Sequence, residues 1–237
     1  MNLRKSLPPP WNRRVLVSTG AYRRYLLHSL GSIHGDMLDA IGRWVDRGAV
    51  VWDVGANMGI FAFAAAIRAG AAGKVYAFEA DVDCASLVTR SQCWRLPDEA
   101  PVTICPFAVA NKSGSVAFEI SNYRTAASAI RGFGRFRAGG TVREVPAFSV
   151  DDLAETFTPP TVLKIDVEGA ENLVLQGARQ TLQRHRPILI IECSGGEIGK
   201  ETGRFFQSIG YKWKPWMSDA AFGEEGIPGG DLVAQPG

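Results

Sequence analysis

Four carboxylates in this 237-residue chain each close a short apolar run. Asp53 follows Val50-Val51-Trp52, Glu79 follows Val75-Tyr76-Ala77-Phe78, Asp166 follows Val162-Leu163-Lys164-Ile165, and Glu192 follows Ile188-Leu189-Ile190-Ile191. An ionised carboxylate accepts hydrogen bonds from hydroxyl and ammonium groups, and it can take a proton from a nucleophile. The first acid runs into a glycine turn, Gly55-Ala56-Asn57-Met58-Gly59, and then into an alanine-rich segment, Ile60 to Ala69, that Gly70 ends. Apolar run, glycine turn and helical pattern read as strand, loop and buried helix, the first βα unit of a nucleotide-binding α/β sheet. In such open sheets ligands lie outside the carboxyl ends of the strands, so Asp53, Glu79 and Asp166 are expected to converge on one crevice.

The turn chemistry narrows the ligand. A dinucleotide site needs G-x-G-x-x-G, with a second glycine that lets the backbone approach a pyrophosphate at a helix N-terminus. Here Asn57 fills that place, between Gly55 and Gly59. A carboxylate such as Asp53 at the strand tip repels a pyrophosphate and attracts a ligand with an ammonium and a sulfonium. S-adenosylmethionine fits that description; a generic turn with a solvated Asp53 is the plainer alternative. The expected cofactor contacts are Asp53, Gly55, Ala56, Asn57, Gly59, Glu79, Ala80, Ala108, Val109 and Asp166. Glu79, 26 residues beyond Asp53, suits the ribose hydroxyls, although a helix-capping carboxylate is the other reading, one that Asp81 or Asp83 could equally serve. Ala108 and Val109 are small enough to lie against an adenine. Glu168 and Glu171 open the next helix, where its dipole alone would favour them. Asp166, Glu192 and a third oxygen donor could hold Mg²⁺, but without acids at fixed local spacing no metal is assigned.

The elements that position these residues follow in order. Residues 1–48 read as a basic arm and helices that cap the site, and residues 49–237 as the S-adenosylmethionine-binding domain. Six basic residues and no acid occupy the first 24 positions. Pro8-Pro9-Pro10 makes that start an extended arm, expected as a solvated tail, with a basic flap for an anionic substrate as the competing reading. One or two helices precede the first strand and carry His28 and His34, either of which could overhang a pocket. Val102 to Ala110 reads as a third strand, Val116 to Ile120 and Val142 to Phe148 as further strands, and Glu171 to about Arg184 as one helix. Ser149 is a candidate N-cap. With 46% hydrophobic residues the chain can bury a substantial core, and a net charge of +2 gives no general reason to expect nucleic acid. The four cysteines lack C-x-x-C spacing and read as reduced thiols of a cytoplasmic protein. No stretch has the length of a signal peptide or a membrane span.

The segments Trp52 to Gly59, Tyr76 to Glu79, Val145 to Leu153, Leu163 to Glu171, and Arg186-Pro187 leading to Ile191-Glu192 together resemble the FkbM-type S-adenosylmethionine-dependent methyltransferases. The likeness runs from about Val50 to Gln235. Two positions depart from the family pattern: Ala80 stands where proline is usual, and Asn111 where aspartate often occurs. The resemblance implies a Rossmann-like seven-stranded sheet, mostly parallel with an antiparallel last strand and helices on both faces. It implies methylation of a hydroxyl on a small-molecule acceptor, a sugar or glycosylated metabolite. In that sheet Asp166 lies beside the first strand, near both sulfonium and acceptor, and is the expected catalytic base, with Glu192 in reserve. A nicotinamide-dependent oxidoreductase and a non-catalytic cofactor-binding module are the alternatives, and a homodimer is left open.

Overall fold

The computed structural model describes residues 2–18, 24–120, 128–133, 140–193, 195–223, 227 and 229–237. Arg23, Ser194 and most of the Gly- and Arg-rich stretch from Arg131 to Gly140 lie outside the described residues. The first half of the chain contributes β1 (Asn2–Ser6), β2 (Arg14–Ser18), α1 (Arg24–Leu27), α2 (Leu30–Trp44), β3 (Val50–Val54), α3 (Ile60–Ala69), β4 (Lys74–Phe78), α4 (Val82–Ser91) and β5 (Val102–Cys105). Next come β6 (Ala108–Ala110), β7 (Gly114–Ile120), β8 (Ala129–Ile130), β9 (Thr141–Ser149) and α5 (Val150–Ala154). The chain ends with β10 (Val162–Ile165), α6 (Glu171–Gln176), α7 (Arg179–His185), β11 (Ile188–Cys193), α8 (Gly196–Ser208), β12 (Tyr211–Pro215) and β13 (Gly230–Pro236).

The central sheet has seven strands in the order β12-β13-β11-β10-β3-β4-β5. β10, β3, β4 and β5 are parallel to their neighbours, and β11 to β10, whereas β13 runs antiparallel to both β11 and β12. The sheet is therefore mostly parallel with an antiparallel last strand, as expected. Strict alternation of side chains divides its core. Val51, Val75, Ala77, Val162 and Ile190 face α2, α3 and the N-terminal strands. Trp52, Val54, Phe78, Leu163, Ile165, Leu189 and Ile191 face the other way, toward Val150, Val174, Leu182 and Phe206 of the later helices. Ile60 to Ala66 and Ala69 of α3 are all buried, which is why that helix is apolar nearly all round. No helix among the described residues is long and apolar enough to cross a membrane.

Three local expectations are corrected. Val102 to Ala110 is not one strand: Pro106 has no N–H to continue the ladder, and β6 joins a second, four-stranded sheet in the order β6-β9-β7-β8. The helix expected from Glu171 to Arg184 divides at Gly177, where an added Cβ would lie 2.4 Å from the Ala110 carbonyl oxygen. Close approach of β6 thus breaks it.

The third correction concerns the basic arm. Residues 2–18 form an antiparallel hairpin, with Asn2 opposite Ser18 and Ser6 opposite Arg14. Val15 and Val17 are fully buried, and β2 packs on α4. Arg13, one of the six basic residues, is 1% exposed. Its Nε donates to both Glu99 carboxylate oxygens at 2.9 and 2.8 Å, and its guanidinium stacks 3.5 Å above Phe63. A solvated tail would hold none of these contacts. The Arg13→Ala variant leaves Glu99 buried without a counter-charge, so urea denaturation is expected to show a loss of about 3–5 kcal/mol. A loss below about 1 kcal/mol, the scale of an exposed pair, would mean that the hairpin does not anchor the fold.

Candidate active site

Register sets the centre of the site. β10 pairs with β3 so that Lys164 lies opposite Asp53. Lys164 is 7% exposed and Asp53 fully buried. The Lys164 Nζ is 3.1 Å from Asp53 Oδ1 and 3.2 Å from Asp166 Oδ2, and it donates to the Gly55 carbonyl at 2.9 Å. Burial works against the ammonium, but the Asp166 and Asp53 carboxylates outweigh it and hold Lys164 charged. Burial raises Asp53 above the usual carboxylate range, with Lys164 opposing.

Gly55 takes a φ of +77°, and a Cβ there would lie 1.8 Å from the Asp166 carbonyl oxygen. Only glycine permits this approach of the β3 and β10 loops. Asn57 occupies the left-handed region at φ +51°, a conformation asparagine tolerates. Its amide, which in a dinucleotide site would be available to a phosphate, donates at 2.6 Å to Glu79 Oε2. The Asp81 amide donates to Glu79 Oε1 at 2.7 Å. Capping of α4 falls to Asp81, which accepts from the Asp83 and Cys84 amides. Glu79 therefore sits oriented at the tip of β4, and burial pushes its carboxyl up to about 7.

Two cavities open at the carboxyl ends of the strands. Glu79, Ala80, Phe107, Ala108 and Val109 line the first. The second, about 520 Å³, lies beneath α1 and α2 and is lined by Tyr25, His34, Asp36, Ala56, Phe61, Lys164, Glu192, Trp216 and Asp231, among others. Gly55, Asn57, Asp166 and Glu168 line both and form the lip where they meet. Of the residues expected from sequence, Glu79, Ala80, Ala108 and Val109 gather in the first cavity, and Ala56 and Glu192 in the second. Asp53 and Gly59 line neither: Asp53 stands behind Lys164, and Gly59, at φ +78°, starts α3. Glu171 holds the loop before α6, accepting from the Val167 and Gly169 amides. His34 breaks the helical geometry of α2 at φ −127°, ψ 22°, and its Nε2 lies 2.9 Å from the Tyr25 hydroxyl.

Sequence reasoning missed Lys164 and Asp231. A lysine inside the otherwise apolar run Val162 to Ile165 was itself a signal, because a strand buried on both faces excludes an unpaired charge. Asp231 carried no such mark. Among the described residues, no three His, Cys, Asp or Glu side chains are grouped to hold a metal ion.

The methyltransferase FkbM domain family matches residues 53–220 of the chain. The chain is 32% identical over 157 residues to the hexuronic acid methyltransferase AglP of Haloferax volcanii, a match covering 65% of this chain and 59% of that protein. It thus spans about three fifths of the length of this curated relative. Among solved structures it is similar to the FkbM methyltransferase of Methylobacillus flagellatus KT, with a TM-score of 0.52 and 15% identity over 79% of this chain and 43% of that one. It is also similar to a SAM-dependent methyltransferase of Agrobacterium tumefaciens, with a TM-score of 0.53 and 11% identity over 99% of this chain and 69% of that one. At such identities the structural likeness concerns the fold.

The setting of Glu79 has a measurable consequence. Folded, this carboxyl keeps its proton up to about pH 7, whereas its ordinary value is 4.5. The raised value means that its stabilising contribution is full below 4.5 and is lost as pH rises through 7. A Glu79→Gln variant has no such loss. Its stability relative to the parent is expected to rise by about 2–3 kcal/mol between pH 5 and pH 8, measured by urea denaturation at each pH. A pH-independent difference would contradict the buried, proton-retaining carboxyl.

Proposed function

The chain belongs to the FkbM methyltransferase domain family, and from that premise we propose that it moves the methyl group of S-adenosylmethionine onto a hydroxyl of a sugar or sugar-bearing small metabolite. The observation that carries this reading is the pair of cavities meeting at Gly55, Asn57, Asp166 and Glu168. One is a narrow slot with an oriented acid, and the other is wide enough for an acceptor. The named activity of AglP on a hexuronic acid supports a sugar as the acceptor class.

The chain's residues fit the cofactor. Glu79, aimed by the Asn57 and Asp81 amides, retains a lone pair on each oxygen for the two ribose hydroxyls. Ala80, Ala108 and Val109, with the Phe107 ring, wall the adenine side. Gly55, Ala56 and Asn57 shape the floor under the methionine portion, and Gly59 lets the turn pass into α3. Asp53 is a positioning residue that fixes Lys164 from behind. When bound, the cofactor supplies a methyl group on a sulfonium, already a strong electrophile.

What remains for the protein is alignment and a proton. The lip orients the acceptor oxygen in line with the methyl group. Asp166, held by Lys164 at 3.2 Å, faces both cavities and takes the hydroxyl proton. Burial and then the Asp166 carboxylate push Glu192 up to about 8, and it is the second candidate for that role. The Asp166→Asn variant keeps the shape and removes the basicity, so kcat is expected to fall about 10²-fold or more. Cofactor affinity, read by calorimetry, moves far less. Near-normal kcat would reject Asp166 as the base and leave Glu192. Native mass spectrometry that showed a dinucleotide, rather than S-adenosylmethionine or its demethylated product, would overturn the whole reading.

A further inference from the structure

We infer that Glu192 and Asp231 are specificity-determining residues that select an acceptor bearing an ammonium group near the hydroxyl to be methylated, an amino sugar being the simplest example; this rests on the methyl-transfer reading above. The first observation is a matter of register. β11 and β13 place Glu192 directly opposite Asp231, and like charges directly opposite in an antiparallel pair are destabilising. Both side chains line the second cavity. Two carboxyls held opposite each other at a cavity wall ionise together most readily when a cation from outside the chain lies beside them.

The second observation is the charge of the whole cavity. The titratable groups around it are Tyr25 from α1, His34 and Asp36 from α2, Lys164 and Asp166 on β10 and its tip, Glu168 on the following loop, Glu192 on β11 and Asp231 on β13. Among them Lys164 is the one ammonium, and Asp53, Asp166 and the Gly55 carbonyl already engage it. Partial burial first, and then the Asp166, Asp231 and Glu168 carboxylates, push Glu192 up to about 8, so it holds a proton at neutral pH until a cation approaches. Asp231 is raised by burial and then by Asp166, with Lys164 opposing. The acids thus feel one another's negative field.

Asp166 and Glu168 lie on the lip, where the cofactor's sulfonium would be met, whereas Asp36, Glu192 and Asp231 line the second cavity alone. Transfer breaks the sulfur–methyl bond with its electron pair left on sulfur, and forms a bond from the acceptor oxygen to the methyl carbon. The hydroxyl proton goes to Asp166. The sulfonium becomes a neutral thioether as Asp166 becomes a neutral acid, so the net charge of the site stays the same and the field of the second cavity's other acids persists. An acceptor ammonium among Glu192, Asp231 and Asp36 offsets that field. It also stays protonated, without the lone pair that would compete for the methyl group. A uronate, by contrast, would add a carboxylate to those already facing one another. AglP is named for a hexuronic acid; this cavity is built for the opposite charge.

The test uses the full chain, radiolabelled S-adenosylmethionine and three acceptors of one ring type: methyl α-D-glucosaminide, methyl α-D-glucoside and methyl α-D-glucuronide. Each is also titrated calorimetrically onto protein loaded with S-adenosylhomocysteine, so that binding is read whether or not a hydroxyl is correctly placed for transfer. The glucosaminide is expected to bind about tenfold tighter than the glucoside, with the glucuronide weakest. Asp231→Asn is expected to shrink the advantage of the amino sugar at least several-fold. Equal binding of the three, preference for the glucuronide, or an undiminished advantage in Asp231→Asn would each overturn the inference. Preferred binding of the glucosaminide without methylation of any of the three would uphold the charge selection and count against sugar O-methylation. Methylation without charge preference would do the reverse.

Discussion

A buried ammonium needs partners, and the constraint that organises this protein is how Lys164 finds them. Water-to-protein transfer of a charge is costly unless it is paired and hydrogen-bonded. Lys164 meets that demand with Asp53 on one side, Asp166 on the other and the Gly55 carbonyl between. Those partners belong to the ends of two adjacent strands, so charge pairing fixes how the β3 and β10 loops meet. The absence of a Cβ on Gly55 lets them close to contact. The lip shared by the two cavities is the outcome of these two local requirements. Asp166 is drawn to one orientation for the same reason, and a fixed carboxylate loses little freedom when a substrate arrives.

The N-terminal segment answers a different demand. α3 is apolar over nearly its whole surface, and the sheet covers only one side of it. α2 and the hairpin complete the cover, with Val15 and Val17 among the buried residues of that core. The Arg13–Glu99 pair, stacked on Phe63 of α3, ties the hairpin to the segment before β5. The cover also brings Tyr25, His34 and Asp36 over the second cavity. The cover of α3 and the enclosure of the second cavity therefore come from the same N-terminal segment.

The βα units and the acid-tipped strands were legible in the sequence because they are short-range patterns: an apolar run, a glycine turn and a helical repeat each fit within about twenty residues. Glu79, Ala80, Ala108 and Val109, each at or just past the end of such a unit, line one cavity. What the sequence concealed was long-range. Asp53 looked like a ligand contact because it ends a strand, but the register that sets Lys164 opposite it lies more than a hundred residues away. The hairpin was read as a tail because its proline run and positive charge suggest solvation. Its decisive contact, Arg13 with Glu99, spans 86 residues. The pairing of Glu192 with Asp231 was hidden in the same way, since β13 inserts between β11 and β12 from the far end of the chain.

The division of the wall between the cavities orders the site chemically. Gly55, Asn57, Asp166 and Glu168 touch both spaces, so a change at the lip alters both cavities together. Residues of the first cavity alone, such as Glu79 and Val109, are separated from the second cavity by that lip, as are residues of the second alone, such as Asp36 and Asp231, from the first. The lip rests on backbone geometry: Gly55, Asn57 and Glu168 all have positive φ, and the Asn57 amide is bound to Glu79. The walls of the second cavity are side chains on α2, β11 and β13. A surface made of side chains can change by single substitutions while the backbone lip stays intact. On the proposed reading, the fold thus keeps the lip rigid and leaves the walls that would choose an acceptor free to vary.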